Sequence, residues 1–337
     1  MQSAIVVHPR FDGEWPFAAD HFRSLWEREG PVAFVRLAAD DPRPLGAILS
    51  RPDRVVRLVA LGVPIEEGCL DRFTALEEAA FWPPLPLERA ARLERAGVTL
   101  YHHTSEGFWG QSVAEMALGL TIAALRRIPQ LHRAILTDLS PWSYAPPGGV
   151  GQPGARGGQF GDDPRFAHGT VAGKRVRIVG AGNVGSRYAS FVRTLGADVK
   201  IWDPFASEPC FHRAGARREW HLDALVKDAD IFAPMLPLRE STRGLIRREH
   251  IDALPRGCLV VLVTRAQICD MSALRRRVLA DELSLAADVF DAEPLPLDDP
   301  LLGRPNVVHT PHVAGRTRDA NHAWAQDLAA RFRPRLG

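Results

Sequence analysis

Short apolar runs alternate with amphipathic stretches along most of the chain. In the first hundred residues, Ala4–Val7, Val32–Leu37, Ala47–Leu49 and Val98–Tyr101 read as short buried strands. Phe17–Glu29 and Leu87–Ala96 read as helices between them, and Gly97 ends the second. Strand and helix in alternation imply a parallel sheet covered by helices. The clearest helical period is Ser112–Arg127, where Val113, Met116, Leu120, Ala123 and Ala124 share a face. Ser112 and Glu115 fit a capping box at its start, and Arg126, Arg127 and Pro129 fit its end. Ala145–Asp163 follows, with ten glycines or prolines in nineteen residues, which predicts a long loop or arm. From Lys174 the alternation resumes. Strands are expected at Val176–Gly180, Val199–Trp202, Ile231–Leu236, Leu259–Val263 and Leu285–Val289, with helices at Val184–Leu195 and Met271–Leu283.

Composition narrows the class. A length of 337 residues suits two domains, and 46% apolar residues can bury a sizeable core. A net charge of +2 gives no electrostatic case for a nucleic-acid partner. The four cysteines, Cys69, Cys210, Cys258 and Cys269, form no CxxC or CxxH pair, so neither a disulfide framework nor a zinc site is expected. Met116–Leu125, the longest nearly uncharged apolar stretch, is half of the roughly 20 residues a membrane span needs. The run Ala4–Val7 stops at His8-Pro9 and does not resemble a secretory leader. The expectation is a cytoplasmic protein with no membrane partner.

The sharpest local motif is Gly180-Ala-Gly182-Asn183-Val184-Gly185, set between a buried strand and a helix. The first glycine allows a tight turn, the second lets backbone approach a pyrophosphate, and the third lets helix and strand pack closely. The helix N-terminus presents unpaired N–H groups to the phosphates. A second strand ends at Asp203, 18 residues after Gly185, where a carboxylate accepts hydrogen bonds from ribose hydroxyls and repels a 2′-phosphate. That favours NAD over NADP. Arg213, Arg217 and Arg218 leave an NADP reading open beside their reading as solvated surface.

Three further residues sit just past predicted strands. Arg265 follows Leu259–Val263, Glu293 follows Leu285–Val289, and His312 follows the short strand Val307–His309. Ligands of open parallel sheets bind beyond the carboxyl ends of strands, so the three could meet in one crevice. Singly, each would be an ordinary surface or core residue.

From about Ser105 to Arg318 the chain resembles the D-isomer-specific 2-hydroxyacid dehydrogenases. The likeness is carried by Ser112-Val-Ala-Glu115, Gly180–Gly185 with Asp203, Leu236-Pro237-Leu238 with Thr242, Thr264-Arg265-Ala266, Asp288-Val-Phe with Glu293-Pro294, and Pro311-His312. The resemblance implies a two-domain α/β fold, a Rossmann-type NAD-binding domain inserted in a flavodoxin-like substrate domain. Residues 1–104 plus 316–337 would form the substrate domain. Residues 105–315 would form the NAD-binding domain, including the interdomain helix 112–127 and the arm 145–163. It further implies that Gly180, Gly182, Asn183, Val184, Gly185, Asp203, Pro237, Val263, Thr264, Arg265, Asp288 and His312 surround the cofactor, Asp288 at the nicotinamide carboxamide. A homodimer built on the helix and arm is also implied.

The chemistry follows from the side chains. A 2-keto acid needs its carboxylate held and its carbonyl polarised, and arginine offers a planar bidentate donor. The forming alkoxide needs a proton, and histidine titrates near working pH. A carboxylate beside that histidine favours the imidazolium and fixes the ring. Arg265 is thus expected to bind and polarise, His312 to act as acid and base, and Glu293 to support His312, with NADH as hydride donor.

The chain also departs from the family pattern. A glycine-rich loop that grips the carboxylate is expected just before Leu87–Ala96, yet the residues there are Phe81-Trp82-Pro83-Pro84-Leu85-Pro86. Proline has no N–H to donate. Arg51 could then share carboxylate binding with Arg265, and Phe81, Trp82 and Trp109 could line the substrate pocket. Phe108 and Trp109 read equally as hinge packing. Adjacent His102 and His103 point to opposite faces of a strand, so no metal site is expected. Two rival readings stay open. One is a dinucleotide-sensing, corepressor-like binding protein without turnover. The other is a related dehydrogenase acting on formate or phosphite, although formate-oxidising relatives carry Gln where Glu293 stands.

Overall fold

The structure, a computed structural model, describes residues 2–66, 68–103, 107–142 and 161–334. Most of the expected arm 145–163, and the expected boundary at 104 and 105, lie outside the described residues. Two compact units emerge, Met1–Trp109 with Arg316–Gly337, and Gly110–Gly315.

The first unit is built on a five-stranded parallel sheet. Its strands are β1 (Gln2–Val7), β2 (Val32–Arg36), β3 (Val55–Leu61), β4 (Glu78–Trp82) and β5 (Thr99–Tyr101), in spatial order β2-β1-β3-β4-β5. This 2-1-3-4-5 order is the flavodoxin-like one. The sequence reading placed a strand at Ala47–Leu49; the structure has a helical turn, Leu45–Ile48, preceded by Pro44. An apolar run of that length fits either element. Strands β3 and β4, which each carry a charge, were not among the expected strands. Those charges, Arg57 and Glu78, face each other in register, with Nε and Oε2 3.9 Å apart. Arg57 also lies 4.2 Å over the Trp26 ring, and Glu78 accepts from Tyr101 Oη and the Arg333 N–H. Buried and partnered, they sit inside strands that a polarity count would break.

The second unit holds seven parallel strands, β6 (Arg175–Val179), β7 (Asp198–Trp202), β8 (Arg217–Arg218), β9 (Ile231–Pro234), β10 (Leu259–Leu262), β11 (Ser284–Ala287) and β12 (Val307–His309). Their order is β12-β11-β10-β9-β6-β7-β8. Numbered from β6, this is 3-2-1-4-5-6-7, the doubly wound dinucleotide-binding order with one strand added. The order reverses between β6 and β9, which opens a crevice at their carboxyl ends. Nearly every residue of β6, β9, β10 and β11 is buried, as expected of strands covered on both faces.

Helix Gly110–Leu125 packs on helix Asn183–Thr194 and on β10 to β12, burying Val113, Ala114, Ala117, Leu120 and Leu125. With the preceding turn, Gly107–Leu125 is long and apolar enough by length and composition to cross a membrane, a longer run than the sequence reading measured. A third of that window is buried inside the protein. The expected capping box is not formed. The helix starts at Gly110, and the Ser112 hydroxyl in its first turn donates to the Ala314 carbonyl.

One charge is buried in the second sheet. Arg177 in β6 is 1% exposed and reaches Asp228 through two 2.7 Å contacts and Asp198 through one of 3.0 Å. Both carboxylates remain over a third exposed, so they rehydrate when the arginine is removed. Arg177→Ala is therefore expected to cost about 2–3 kcal/mol in urea unfolding, below the 3–5 kcal/mol typical when a fully buried partner is stranded. The Arg177 hydrogen bond holds the Asp228 carboxyl below its ordinary value. Its stabilisation is present above the ordinary carboxylate range and fades as pH falls through the depressed value. The gap between wild type and variant should accordingly shrink on acidification from pH 7 toward pH 3.

Candidate active site

At the end of β6 the chain turns through Gly180 at φ +101°. A Cβ there would stand 2.8 Å from the Leu236 side chain and 2.9 Å from the Met235 carbonyl oxygen. A Cβ on Gly185 would fall 2.0 Å from the Gly180 carbonyl oxygen, so only glycine lets helix Asn183–Thr194 sit against the turn. Gly182, the residue before that helix, is different. No heavy atom lies within 4 Å of where its Cβ would be. The backbone is open there, beside the first N–H groups of Asn183 and Val184. That is the cradle a pyrophosphate requires.

Asp203 lies just past β7. Its Oδ2 accepts from the Ala181 N–H at 2.8 Å, and its Oδ1 accepts from the Phe205 and Ala206 N–H groups. It braces the glycine turn while remaining partly exposed for ribose hydroxyls. Of the arginines considered for a 2′-phosphate, Arg218 is stacked 4.4 Å over both Phe211 and Trp220 and bonded to the Asp203 and Ala206 carbonyls. Arg217 pairs with Asp198. Pro237 accepts from the Thr242 hydroxyl at 2.6 Å, which holds the turn after β9. Val263 is buried, and the Thr264 hydroxyl donates to the Pro234 carbonyl.

Arg265, Glu293 and His312 line one cleft of about 410 Å³, with Leu238, Gln267 and Phe290 among its other walls. His312 Nδ1 lies 2.6 Å from Glu293 Oε2. A carboxylate can only accept, so Nδ1 carries the proton and Nε2 is left as the nitrogen that gives and takes one. Glu293 Oε1 accepts from the Phe290 N–H at 2.7 Å, so both its oxygens are engaged. The loop that carries it is pinned by Arg275, which grips Asp291 and Asp299 together. Arg265 is exposed just past β10, its Nη1 donating to its neighbour's carbonyl at 2.7 Å. His312 has φ +55°, a left-handed backbone that costs a non-glycine residue about 1–2 kcal/mol. Gln267 and Phe290 escaped the sequence reading, although Gln267 follows Arg265 by only two positions past a strand end.

Asp288 is placed differently from the expectation. It is fully buried, and its carboxylate accepts from Thr310 Oγ1, the Val313 N–H at 3.0 Å and the Ala314 N–H at 2.8 Å. All three donors belong to the loop that carries His312.

The other expected substrate residues belong to the first unit. Arg51 stands at the amino end of β3, exposed and paired with Asp53, whereas sheet ligands gather at carboxyl ends. Its placement gives no support to carboxylate binding. Phe81 and Trp82 end β4 at the carboxyl edge, where Phe81 is buried and Trp82 sits edge-on to Phe11 at 5.2 Å. Trp109 stacks on Trp15 at 5.2 Å, which favours packing over pocket. His103 lies 2.9 Å from the Trp324 carbonyl oxygen, and burial lowers its pKa. Among the described residues no group of three His, Cys, Asp or Glu could hold a metal ion. All four cysteines are free, and burial pushes the Cys269 thiol up to about 12 and the Cys258 thiol higher, far from thiolate chemistry.

Residues 149–314 match the family described as D-isomer specific 2-hydroxyacid dehydrogenase, NAD binding domain. The chain is 31% identical over 210 residues to a D-3-phosphoglycerate dehydrogenase of Archaeoglobus fulgidus, covering 62% of this chain and 36% of that protein. It is 30% identical over 247 residues to a glyoxylate reductase of Thermofilum pendens, covering 70% of this chain and 64% of that one. The match thus spans about a third of the first relative's length and under two thirds of the second's. A crystal structure of a phosphoglycerate oxidoreductase from Rhizobium etli shares the fold at a TM-score of 0.70 and 20% identity, over 96% of this chain and 92% of that one.

The glycine geometry makes a paired prediction. Gly182→Ala meets no clash and should alter stability by less than about 1 kcal/mol, yet should weaken NADH binding if the open backbone there receives the pyrophosphate. Gly185→Ala meets the Gly180 carbonyl and should lower the melting temperature outright. NADH fluorescence titration beside thermal melting separates the two effects.

Proposed function

Because this chain belongs, through its NAD-binding domain, to the D-isomer specific 2-hydroxyacid dehydrogenase family, we propose that it interconverts a 2-keto acid and a D-2-hydroxy acid with NAD(H). The observation that carries the reading is the 2.6 Å contact between His312 Nδ1 and Glu293 Oε2 at a cleft that also holds Arg265. When bound, the nicotinamide supplies or accepts a hydride at the substrate's C2. Arg265 holds the substrate carboxylate and polarises the carbonyl oxygen through its planar fork. His312 gives its Nε2 proton to the forming alkoxide, or takes it back in the oxidative direction. Glu293 keeps Nδ1 protonated throughout and steadies the cationic ring. Glu at position 293, where formate-oxidising relatives carry Gln, favours a hydroxy-acid substrate over formate.

In this reading Asp203 receives the adenosine ribose, and Gly180 to Gly185 receive the pyrophosphate. The first unit serves as the substrate domain. Pro83 and Pro84 in its Trp82-Pro83-Pro84 segment have no N–H to offer a carboxylate. We further read the protein as a cytoplasmic homodimer. Four free cysteines support a reducing compartment, and exposed Ile128, Ile135, Leu136 and Leu139 after helix Gly110–Leu125 support a covered face there.

NADH oxidation against a panel of 2-keto acids tests the reading. His312→Ala should lower kcat by about 10²–10⁴ while leaving NADH affinity intact. Arg265→Lys should raise KM for the keto acid sharply, since an ammonium cannot reproduce the bidentate fork. Failure of every keto acid to be reduced, with NADH bound tightly, would leave the sensing alternative standing. Asp203 makes a second prediction. NADH should be preferred over NADPH, and Asp203→Ala should erode that preference; equal use of both cofactors by the wild type would contradict the assignment.

A further inference from the structure

His312 holds a backbone conformation that an L-residue avoids, and its Nδ1 lies 2.6 Å from Glu293 Oε2. Something must keep the backbone there. Two side chains from elsewhere in the unit reach its loop. Asp288, the first residue past β11, takes Thr310 Oγ1 and the Val313 N–H on one oxygen and the Ala314 N–H on the other. Ser112, in the first turn of helix Gly110–Leu125, donates to the Ala314 carbonyl. Ala314 is therefore gripped at both its N–H and its C=O, and His312 lies between Thr310 and Val313, both tied to one carboxylate. Asp288 is itself fixed, because its own N–H donates to the Leu262 carbonyl at the end of β10 and the Thr310 N–H donates to Ala287.

We propose that Asp288, Thr310 and Ser112 form a clamp that forces His312 into its left-handed conformation and thereby aims the imidazole at Glu293. The inference rests on the reading of His312 as the acid–base group. Asp288 has no exposed surface with which to meet a nicotinamide, and both its oxygens serve the loop. It is a positioning residue. An Asn there would turn an NH₂ toward an N–H donor, so two acceptor oxygens are required. Ser112 explains why a hydroxyl stands in the first turn of an otherwise apolar helix without capping it.

Three measurements test the clamp. Thr310→Val and Ser112→Ala each remove one hydroxyl at nearly constant volume and spare the helix. Each should lower kcat about tenfold, one hydrogen bond's worth, with the NADH Kd unchanged within about twofold. Thr310→Ser should restore turnover. The low-field NMR resonance of the His312 Nδ1 proton, assigned by its loss in His312→Gln, should broaden in both hydroxyl-deleted variants and sharpen again in Thr310→Ser. His312→Gly should melt at least as high as His312→Ala, the reverse of their usual order, because only glycine accepts φ +55° without strain. An unaltered resonance in both variants would overturn the proposal, as would His312→Ala melting above His312→Gly. A loss carried wholly by NADH affinity would return Asp288 to a cofactor contact. If the wild type reduces no keto acid, the proposed reaction falls, while the resonance and the melting order still decide the clamp.

Discussion

The Glu293 carboxylate 2.6 Å from His312 Nδ1 fixes one ring nitrogen and leaves the other free, the arrangement that the proposed proton transfer requires. Much of the second unit's upper edge can be traced to that contact. Glu293 is immobilised by the Phe290 N–H, and its loop is immobilised by Arg275 through Asp291 and Asp299. His312 is immobilised from the other side by Asp288 and Ser112. The two partners come from loops following different strands, β11 and β12, whose parallel pairing sets the distance between them. A one-residue slip in that register would turn the sheet's side chains to opposite faces and carry the two loops apart.

The nucleotide edge follows a different constraint, the absence of side chains. Gly185 is demanded by a carbonyl oxygen that a methyl group would overlap, and Gly180 by a turn with φ +101°. Gly182 is demanded by no neighbour in the protein, since no heavy atom lies within 4 Å of where its Cβ would be. Asp203 connects the two requirements, since it holds the glycine turn through Ala181 while offering acceptors beside it. The strand order of the sheet puts this turn and the cleft lined by Arg265, Glu293 and His312 at the same carboxyl edge.

The sequence made the second unit legible because its site residues follow short, mostly apolar runs, even where Arg177, Lys200 or Asp288 falls within one. Val176–Gly180, Leu259–Val263 and Leu285–Val289 can be read as buried strands without ambiguity, and Arg265 and Glu293 are located by counting past their ends. The first unit was harder. β3 and β4 carry Arg57 and Glu78, whose partners (Glu29 at 2.8 Å from Arg57, Tyr101 at 2.8 Å from Glu78) lie outside any local window. Arg51 was expected near the carboxylate because relatives often carry a basic residue near that position; with β3 placed, it stands at the amino end of that strand. Asp288 was placed correctly along the chain, yet its burial and its three donors follow from a loop returning 22 to 26 residues later. Ser112 carried the letters of a cap and turned out to hold a strap 202 residues away.

The central claim is that these residues deliver a proton to a carbonyl oxygen while a hydride reaches the adjacent carbon. Reduction of a 2-keto acid with NADH deuterated at C4 tests it most directly, with the product analysed by mass and on a chiral column. The account predicts one deuterium at C2 of a hydroxy acid that is entirely the D-enantiomer. Product of mixed hand, or NADH bound without any transfer of label to C2, would contradict it.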